Sequence, residues 1–333
     1  MDILRERQLC YLNIYSLKVS PCAKYLAAAT NAGSVAIFDI NNGEIETGKS
    51  SRADFTQSKE LSVLASKAYS LASTPHLLIC GDSRGIIRSW RWDQMSSPKP
   101  SVASAIDICE ISKGIQGCHD INSLTTNSSN DENSYLFAGC GDSNIYCFDL
   151  SCGKLVHTLQ GHKDFVHQVV YSKAKRLLLS CSEDGTIKIW DMRTRQPINS
   201  IVPSERPGIS SSGSWIGSLC IDKAGDWIAF GGGSQAGIYN IPTASFAASL
   251  EPAGLQVHAT RFVDGKLLIG GQSPILYCYS VDGRPLSEIP LAVKGVFALE
   301  TCLSNTILCV AGIGPKVDLI RHFAYRALSF SMS

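Results

Sequence analysis

Residues 177–193 read Leu-Leu-Leu-Ser-Cys-Ser-Glu-Asp-Gly-Thr-Ile-Lys-Ile-Trp-Asp-Met-Arg. An apolar run meets an Asp-Gly turn, and the alternating run that follows ends in Trp-Asp. This is the pattern of two antiparallel strands joined by a tight hairpin. Upstream stand Gly161-His162 and then Phe165-Val166-His167-Gln168-Val169-Val170, which reads as a third strand. The polar residues of the unit are spaced to satisfy one another. Trp190 can donate to Ser180, Ser180 can bond His162 in the entry loop, and His162 can bond Asp184 in the turn. Four polar groups that satisfy one another would then lock one small sheet.

This Gly-His … Trp-Asp arrangement is that of a WD40 repeat, a four-stranded unit that cannot bury its faces alone and must recur. Weaker copies do recur. Val35-Ala36-Ile37-Phe38-Asp39 follows Asn31-Ala32-Gly33, and Ile87-Arg88-Ser89-Trp90 follows Gly81-Asp82-Ser83. Ile145-Tyr146-Cys147-Phe148-Asp149 follows Gly141-Asp142-Ser143. Gly237-Ile238-Tyr239, Leu276-Tyr277-Cys278-Tyr279 and Val317-Asp318-Leu319-Ile320 each follow a glycine-rich turn. The positions equivalent to Trp190 are thus Phe38, Trp90, Phe148, Tyr239, Tyr279 and Ile320, spaced 52, 58, 42, 49, 40 and 41 residues apart when Trp190 is included. The period expected of such repeats is about 40–45.

The spacing predicts an all-β fold: a seven-bladed propeller of four antiparallel strands per blade, occupying 1–333 as a single domain. Inner strands are expected at Ser16–Val19, Tyr69–Ser73, Asn122–Thr125, Val166–Tyr171, Ile216–Ile221, Ala259–Phe262 and Phe297–Thr301. Polar insertions are expected at Asn41–Glu60, Gln94–Gly117, Thr126–Asn133 and Pro203–Gly213. The mixed start predicts a short helix over about 2–10. The alternating end, Tyr325-Arg326-Ala327-Leu328-Ser329-Phe330, predicts a final blade completed by its own outer strand.

Composition narrows the function. Hydrophobic residues make up 44%, enough for a core, and 30 Lys+Arg balance 29 Asp+Glu. That balance argues against holding nucleic acid mainly through phosphates. No apolar run is long enough for a transmembrane helix, so no membrane contact is expected. The 13 cysteines form no Cys-x-x-Cys pair, and most lie in apolar runs as small hydrophobes. A reducing compartment follows. No His-Glu-x-x-His motif occurs; the spellings Gly-x-Ser-x-Gly at 81–85 and Gly-x-x-x-x-Gly-Lys-Ser at 43–50 fall where the repeat pattern predicts a turn between strands and a polar insertion, not a strand-to-helix turn. The glycine clusters at 231–233 and 312–314 fall where the repeat needs turns. The seven histidines are not paired at ligand spacing. The chain is expected to be no enzyme, with no cofactor and no metal.

Several segments go beyond the generic repeat. They are Ser20-Pro21-Cys22-Ala23-Lys24-Tyr25-Leu26-Ala27-Ala28, Gly161-His162-Lys163-Asp164-Phe165-Val166-His167, Trp215-Ile216-Gly217-Ser218-Leu219, Asp226-Trp227-Ile228-Ala229-Phe230-Gly231-Gly232-Gly233 and the Tyr325–Phe330 tail. Together they resemble the THO complex subunit 6 family of WD-repeat proteins over nearly the full length. The resemblance implies a nuclear, non-catalytic subunit of the transcription–export (TREX) machinery. It would dock on coiled-coil and scaffold subunits and act in mRNP assembly, mRNA processing and mRNA export, with weak or indirect RNA contact. The loops at Asn41–Glu60 and Thr126–Asn133 depart from the family pattern. A second reading starts from Asp184 … Trp190-Asp191-x-Arg193, which has the spacing of the WDxR box of substrate receptors for cullin-4 RING ubiquitin ligases. There Asp191 and Arg193 would contact the ligase adaptor through charge-assisted bonds.

The charge balance generates a prediction. The purified chain should bind single-stranded RNA weakly, and lose that binding as salt rises, because no basic run is longer than a few positions; the local candidates are Lys163, Lys173, Lys175 and Arg176 around the central blade. A titration against an oligoribonucleotide at about 0.15 M salt checks this. A Kd well below the roughly micromolar non-specific range would make the chain a direct RNA reader.

Overall fold

The computed structural model describes residues 9, 11–40, 57–62, 66–97, 99–111, 120–127, 134–205, 215–233, 235–250, 255–302, 307–321 and 325–332. These form seven four-stranded antiparallel sheets, each built from four strands consecutive in the chain. The sheets are the blades of a β-propeller around a central channel. The hairpins turn as the sequence requires: after Asp184, Gly185 sits at φ 74°, a left-handed conformation that a Cβ disfavours.

Phe38, Trp90, Phe148, Trp190, Tyr239, Tyr279 and Ile320 each occupy the penultimate position of the third strand of a blade. Each is buried. Each pairs with a Leu or Ile of the second strand: Leu26, Leu78, Leu136, Leu178, Ile228, Leu267 or Leu308. The repeat spacing in the sequence is therefore the spacing of one large buried residue per blade.

Blades meet through small residues. A Cβ on Gly81 would lie 2.4 Å from Ile121, one on Gly139 2.8 Å from Val166, one on Gly231 2.2 Å from Val257 and one on Gly270 2.6 Å from Val296. In each case a glycine on the second strand seats a β-branched side chain at the start of the next blade's inner strand. Only glycine permits that approach.

Hydrogen bonds between inner strands run right round the channel. Leu71 N donates to Ser16 Oγ (3.2 Å), Ser70 Oγ to Ile121 O (2.8 Å), Val169 N to Ser123 Oγ (3.1 Å) and Leu219 N to Gln168 Oε1 (2.7 Å). Ser218 and Thr260 share a hydroxyl bond (2.8 Å), and Arg261 donates to Leu299 O (3.0 Å) and Glu300 (3.1 Å). Lys18 donates to Glu300 (2.9 Å) and joins the first blade to the last. An apolar cluster including Leu12, Ile14, Phe38, Cys309 and Leu319 fills the same junction, and Gly314 N donates to Leu12 O (2.9 Å). The last blade takes its own outer strand, Tyr325–Ser331, from the alternating tail.

Three expectations need correction. The stretch Asn41–Glu60 is not all insertion, since Gln57–Ser62 is the outer strand of the first blade. Within Gln94–Gly117, Ser104–Asp107 is the outer strand of the second blade and Ile108–Ile111 a single helical turn. Outer strands pair on one side only and are largely solvated, so their sequences are polar and read as loop. The inner strand expected at Ile216–Ile221 begins at Ser218, because Ile216 N donates instead to Ser182 O of the preceding blade. Within Pro203–Gly213, Pro203–Glu205 forms a 3-10 turn; 206–213 lies outside the described residues, as does 128–133. The helix expected over 2–10 falls outside them too, save Leu9, which is helical.

The junction of first and last blades yields a prediction. Burial alone would raise the Glu300 carboxyl, and the charges of Arg261 and Lys18 outweigh it and hold the group below its ordinary value. Glu300→Gln leaves two cations facing each other. It should cost about 2–3 kcal/mol, less than the roughly 3–5 of a fully buried pair, because Lys18 and Arg261 remain 28% exposed. Lys18→Met, which keeps Arg261 on the carboxylate, should cost less. Denaturant unfolding of the two variants decides, and equal stability of Glu300→Gln and the parent would refute the clasp.

Candidate functional site

The fourth blade brings His162, Ser180, Asp184 and Trp190 together. Trp190 Nε1 donates to Ser180 Oγ (2.8 Å), and Ser180 Oγ lies 2.7 Å from His162 Nε2. His162 Nδ1 lies 2.9 Å from Asp184 Oδ2. With the carboxylate ionised, the protons run one way: Nδ1–H of His162 donates to Asp184, and the Ser180 hydroxyl donates to Nε2. Asp184 also accepts from Lys163 N and from Thr186 N and Oγ1. Burial works to raise its carboxyl, but the bonds from His162, Lys163 and Thr186 prevail and hold it well below the carboxylate range.

Asp184, His162 and Ser180 have the connectivity of a hydrolytic triad. They do not act as one. Ser180 is 0% exposed, and its oxygen already accepts the indole N–H, so no substrate carbonyl reaches it. The arrangement holds an entry loop, a turn and two strands in place. Other blades use different locks for the same purpose. In the second, Asp82 accepts from Ser66 Oγ (2.8 Å) and from Arg88 (2.7 Å). In the seventh, Asp318 on the third strand accepts from Ala292 N (2.6 Å), Val293 N (3.2 Å) and the Ser329 hydroxyl.

Asp191 and Arg193 stand apart from that network, at the turn into the outer strand. Arg193 closes a fork on Asp191 through Nε (3.2 Å) and NH2 (3.1 Å), and its side chain is 90% exposed. The fork keeps the Asp191 carboxyl below its ordinary value. Of the basic cluster, Lys175 is paired with Asp226 at 2.9 Å.

The channel carries a feature that the sequence reading missed. At one mouth six ring side chains touch in series. Tyr69 meets Tyr15 (centroids 5.3 Å), Tyr15 meets Phe297 (5.8 Å), and Phe297 meets His258 (5.2 Å). His258 stacks on Trp215 (5.8 Å), and Trp215 meets His167 (5.8 Å). Asn122 occupies the equivalent place in the third blade. All but Trp215 owe their position to a β-bulge. Pairing of each inner strand with the second strand skips one residue, and the skipped residues are Tyr15, Tyr69, Asn122, His167, His258 and Phe297. A bulge re-aims the side chain it carries. Trp215 instead comes from the strap that precedes the fifth blade. The collar opens on a cavity of about 570 Å³.

A family model described as "WD domain, G-beta repeat" matches residues 153–191, the stretch that contains the whole His162–Trp190 network. Along its length the chain is similar to THO complex subunit 6 homolog of Danio rerio, at 29% identity over 97% of this chain and 98% of that protein. It is similar to THO complex subunit 6 of Homo sapiens at 28% identity, over 99% of this chain and 96% of that protein. THO complex subunit 6 of Arabidopsis thaliana matches at 25% identity, over 100% of this chain and 95% of that protein.

Asp184→Ala should leave the buried Nδ1–H of His162 with only the long contact to Thr186 Oγ1 (3.3 Å) and cost about 1–3 kcal/mol. The same carboxylate sets an acid limit. Its folded value is depressed, so its contribution is complete above the unfolded value of about 4 and is lost as pH falls below that. Thermal melts between about pH 7 and pH 3 should show the parent losing more stability on acidification than Asp184→Ala. Parallel curves would show that the bond network adds nothing.

Proposed function

With THO complex subunit 6 proteins as its full-length relatives, we propose that this chain is a non-catalytic protein–protein scaffold subunit of a THO complex. It works in the nucleus, in mRNP assembly, mRNA processing and mRNA export, through contacts with the coiled-coil and scaffold subunits of that complex. The observation that carries the reading is the match itself. It spans 97–100% of this chain and at least 95% of the fish, human and plant proteins. The even charge balance, 30 basic against 29 acidic residues, fits docking on protein rather than capture of RNA. Buried hydrogen-bond networks fit a rigid platform whose loops, rather than its blades, meet partners.

A different use of the same fold has one observation in its favour. Arg193 is exposed and held in a fixed pose by Asp191, the presentation a cullin-4 ligase adaptor would need. One experiment separates the two. Affinity purification of the tagged chain from nuclear extract should recover THO subunits, and Arg193→Ala should leave that recovery unchanged. Recovery of the cullin adaptor in their place, abolished by Arg193→Ala, would overturn the scaffold reading.

A further inference from the structure

The ring contacts of the collar run between neighbouring blades, and its composition selects for a ligand. The cations lining the channel are Lys18, Lys173, Lys223 and Arg261. All lie toward or beyond the C-terminal ends of the inner strands, whereas the collar residues stand at their N-terminal ends. Lys18 and Arg261 are moreover spent on Glu300. The collar mouth is therefore aromatic and free of Lys and Arg among the described lining residues. It also carries a carboxylate, since Glu183 is hydrogen-bonded to His167 at the same rim.

One polar atom of the collar is unsatisfied. His258 sits between Trp215 and Phe297, and its Nε2 is buried with no hydrogen-bond partner among the described residues. Such an atom costs free energy wherever it stays unpaired. An apolar side chain wedged into the collar would leave it so. A group bearing N–H donors would satisfy it on parting the two rings. Burial keeps His258 below its ordinary value, so the ring is neutral near pH 7, and in the tautomer with its proton on Nδ1 the unpaired Nε2 is an acceptor.

Aromatic faces, a nearby carboxylate and an unpaired acceptor together describe a receptor for a planar cation. A guanidinium stacks on aromatic rings, carries donors in a fixed fork and is easily stripped of water. A nucleic-acid base could also stack here, but among the described residues the channel lining beside the collar carries no Lys or Arg to hold the attached phosphates. We propose that the collar is a binding site for an arginine side chain of a partner polypeptide, with the guanidinium lying among Trp215, Tyr15 and Phe297 and donating to His258. The site builds on the scaffold reading above by naming one residue through which a partner docks.

The test uses the purified full chain and three short peptides, N-acetyl-Gly-Arg-Gly-amide and its citrulline and leucine counterparts, with a single-stranded oligoribonucleotide as the fourth probe. Among the five tryptophans, Trp215 is the collar residue, so indole fluorescence reports occupancy, and calorimetry gives the Kd. The arginine peptide should bind saturably. The citrulline peptide, of the same shape without the charge, should bind at least about tenfold more weakly, as loss of charge-assisted bonding implies. His258→Phe keeps a ring and removes the acceptor, and it too should weaken the arginine peptide about tenfold at an unchanged melting midpoint. No saturable signal from the arginine peptide, or equal binding of arginine and citrulline peptides, overturns the proposal without recourse to any variant. Tighter binding of the oligonucleotide than of the arginine peptide overturns it in favour of a base-stacking site. None of these results depends on THO subunits, so recovery of those subunits with a failed peptide titration would sink the arginine site alone.

Discussion

A closed belt of hydrogen bonds between inner strands fixes everything else in this propeller. Each blade is a complete small sheet, and nothing in its own backbone pairing tells it where its neighbour stands. Beside a few backbone bonds between blades, such as Ile216 N to Ser182 O, the neighbour is placed by side chains: Ser16, Ser70, Ser123, Gln168 and Ser218 in turn, then Arg261, and finally Lys18 on Glu300. Each bond alone contributes modestly. Their effect is geometric. They set the distance at which Ile121, Val166, Val257 and Val296 enter the glycine seats of the preceding blade. Seat and belt constrain each other, and the angle between blades leaves room for seven.

That logic explains why one blade has the full His–Ser–Asp–Trp network and the others do not. The network satisfies the polar groups of an entry loop and a turn, and any set of donors and acceptors that does so will serve. The second blade does it with Asp82, Arg88 and Ser66, and the seventh by reaching up from Asp318 on the third strand. Degeneracy of the motif is therefore not loss of the fold. It is substitution of one satisfied network for another, and it leaves the large apolar residue at the penultimate third-strand position in place every time.

Those residues are why the architecture was legible in the sequence. Phe38 to Ile320 recur at a spacing that only loops disturb, each after a turn rich in Gly, Asp or Asn. The outer strands Gln57–Ser62 and Ser104–Asp107 were not legible, because a strand solvated along one edge needs no apolar alternation. The His162 network could be written down from spacing, since its partners lie on one blade. The collar could not, because Tyr15 and Phe297 lie 282 residues apart and meet only when the ring closes. A local signal does exist. Ile14-Tyr15-Ser16, Ala68-Tyr69-Ser70, Val257-His258-Ala259 and Val296-Phe297-Ala298 each set a ring between an apolar and a small residue at the head of an inner strand. In isolation such a ring reads as core; repeated at the blade period, it reads as the rim of a pore.

Each sheet is made of four strands consecutive in the chain, the last one included. The ring is consequently joined at its ends without an exchanged strand. No backbone ladder has to be unzipped to part the first blade from the seventh; among the described residues the junction is held by the Lys18–Glu300 pair, the bridge between Asn13 and Ile313, the Gly314–Leu12 hydrogen bond, the Tyr15–Phe297 contact and one apolar cluster. The molecule behaves as an open spring held shut by a latch, and under load or heat it would gape at that latch while its leaves stay whole.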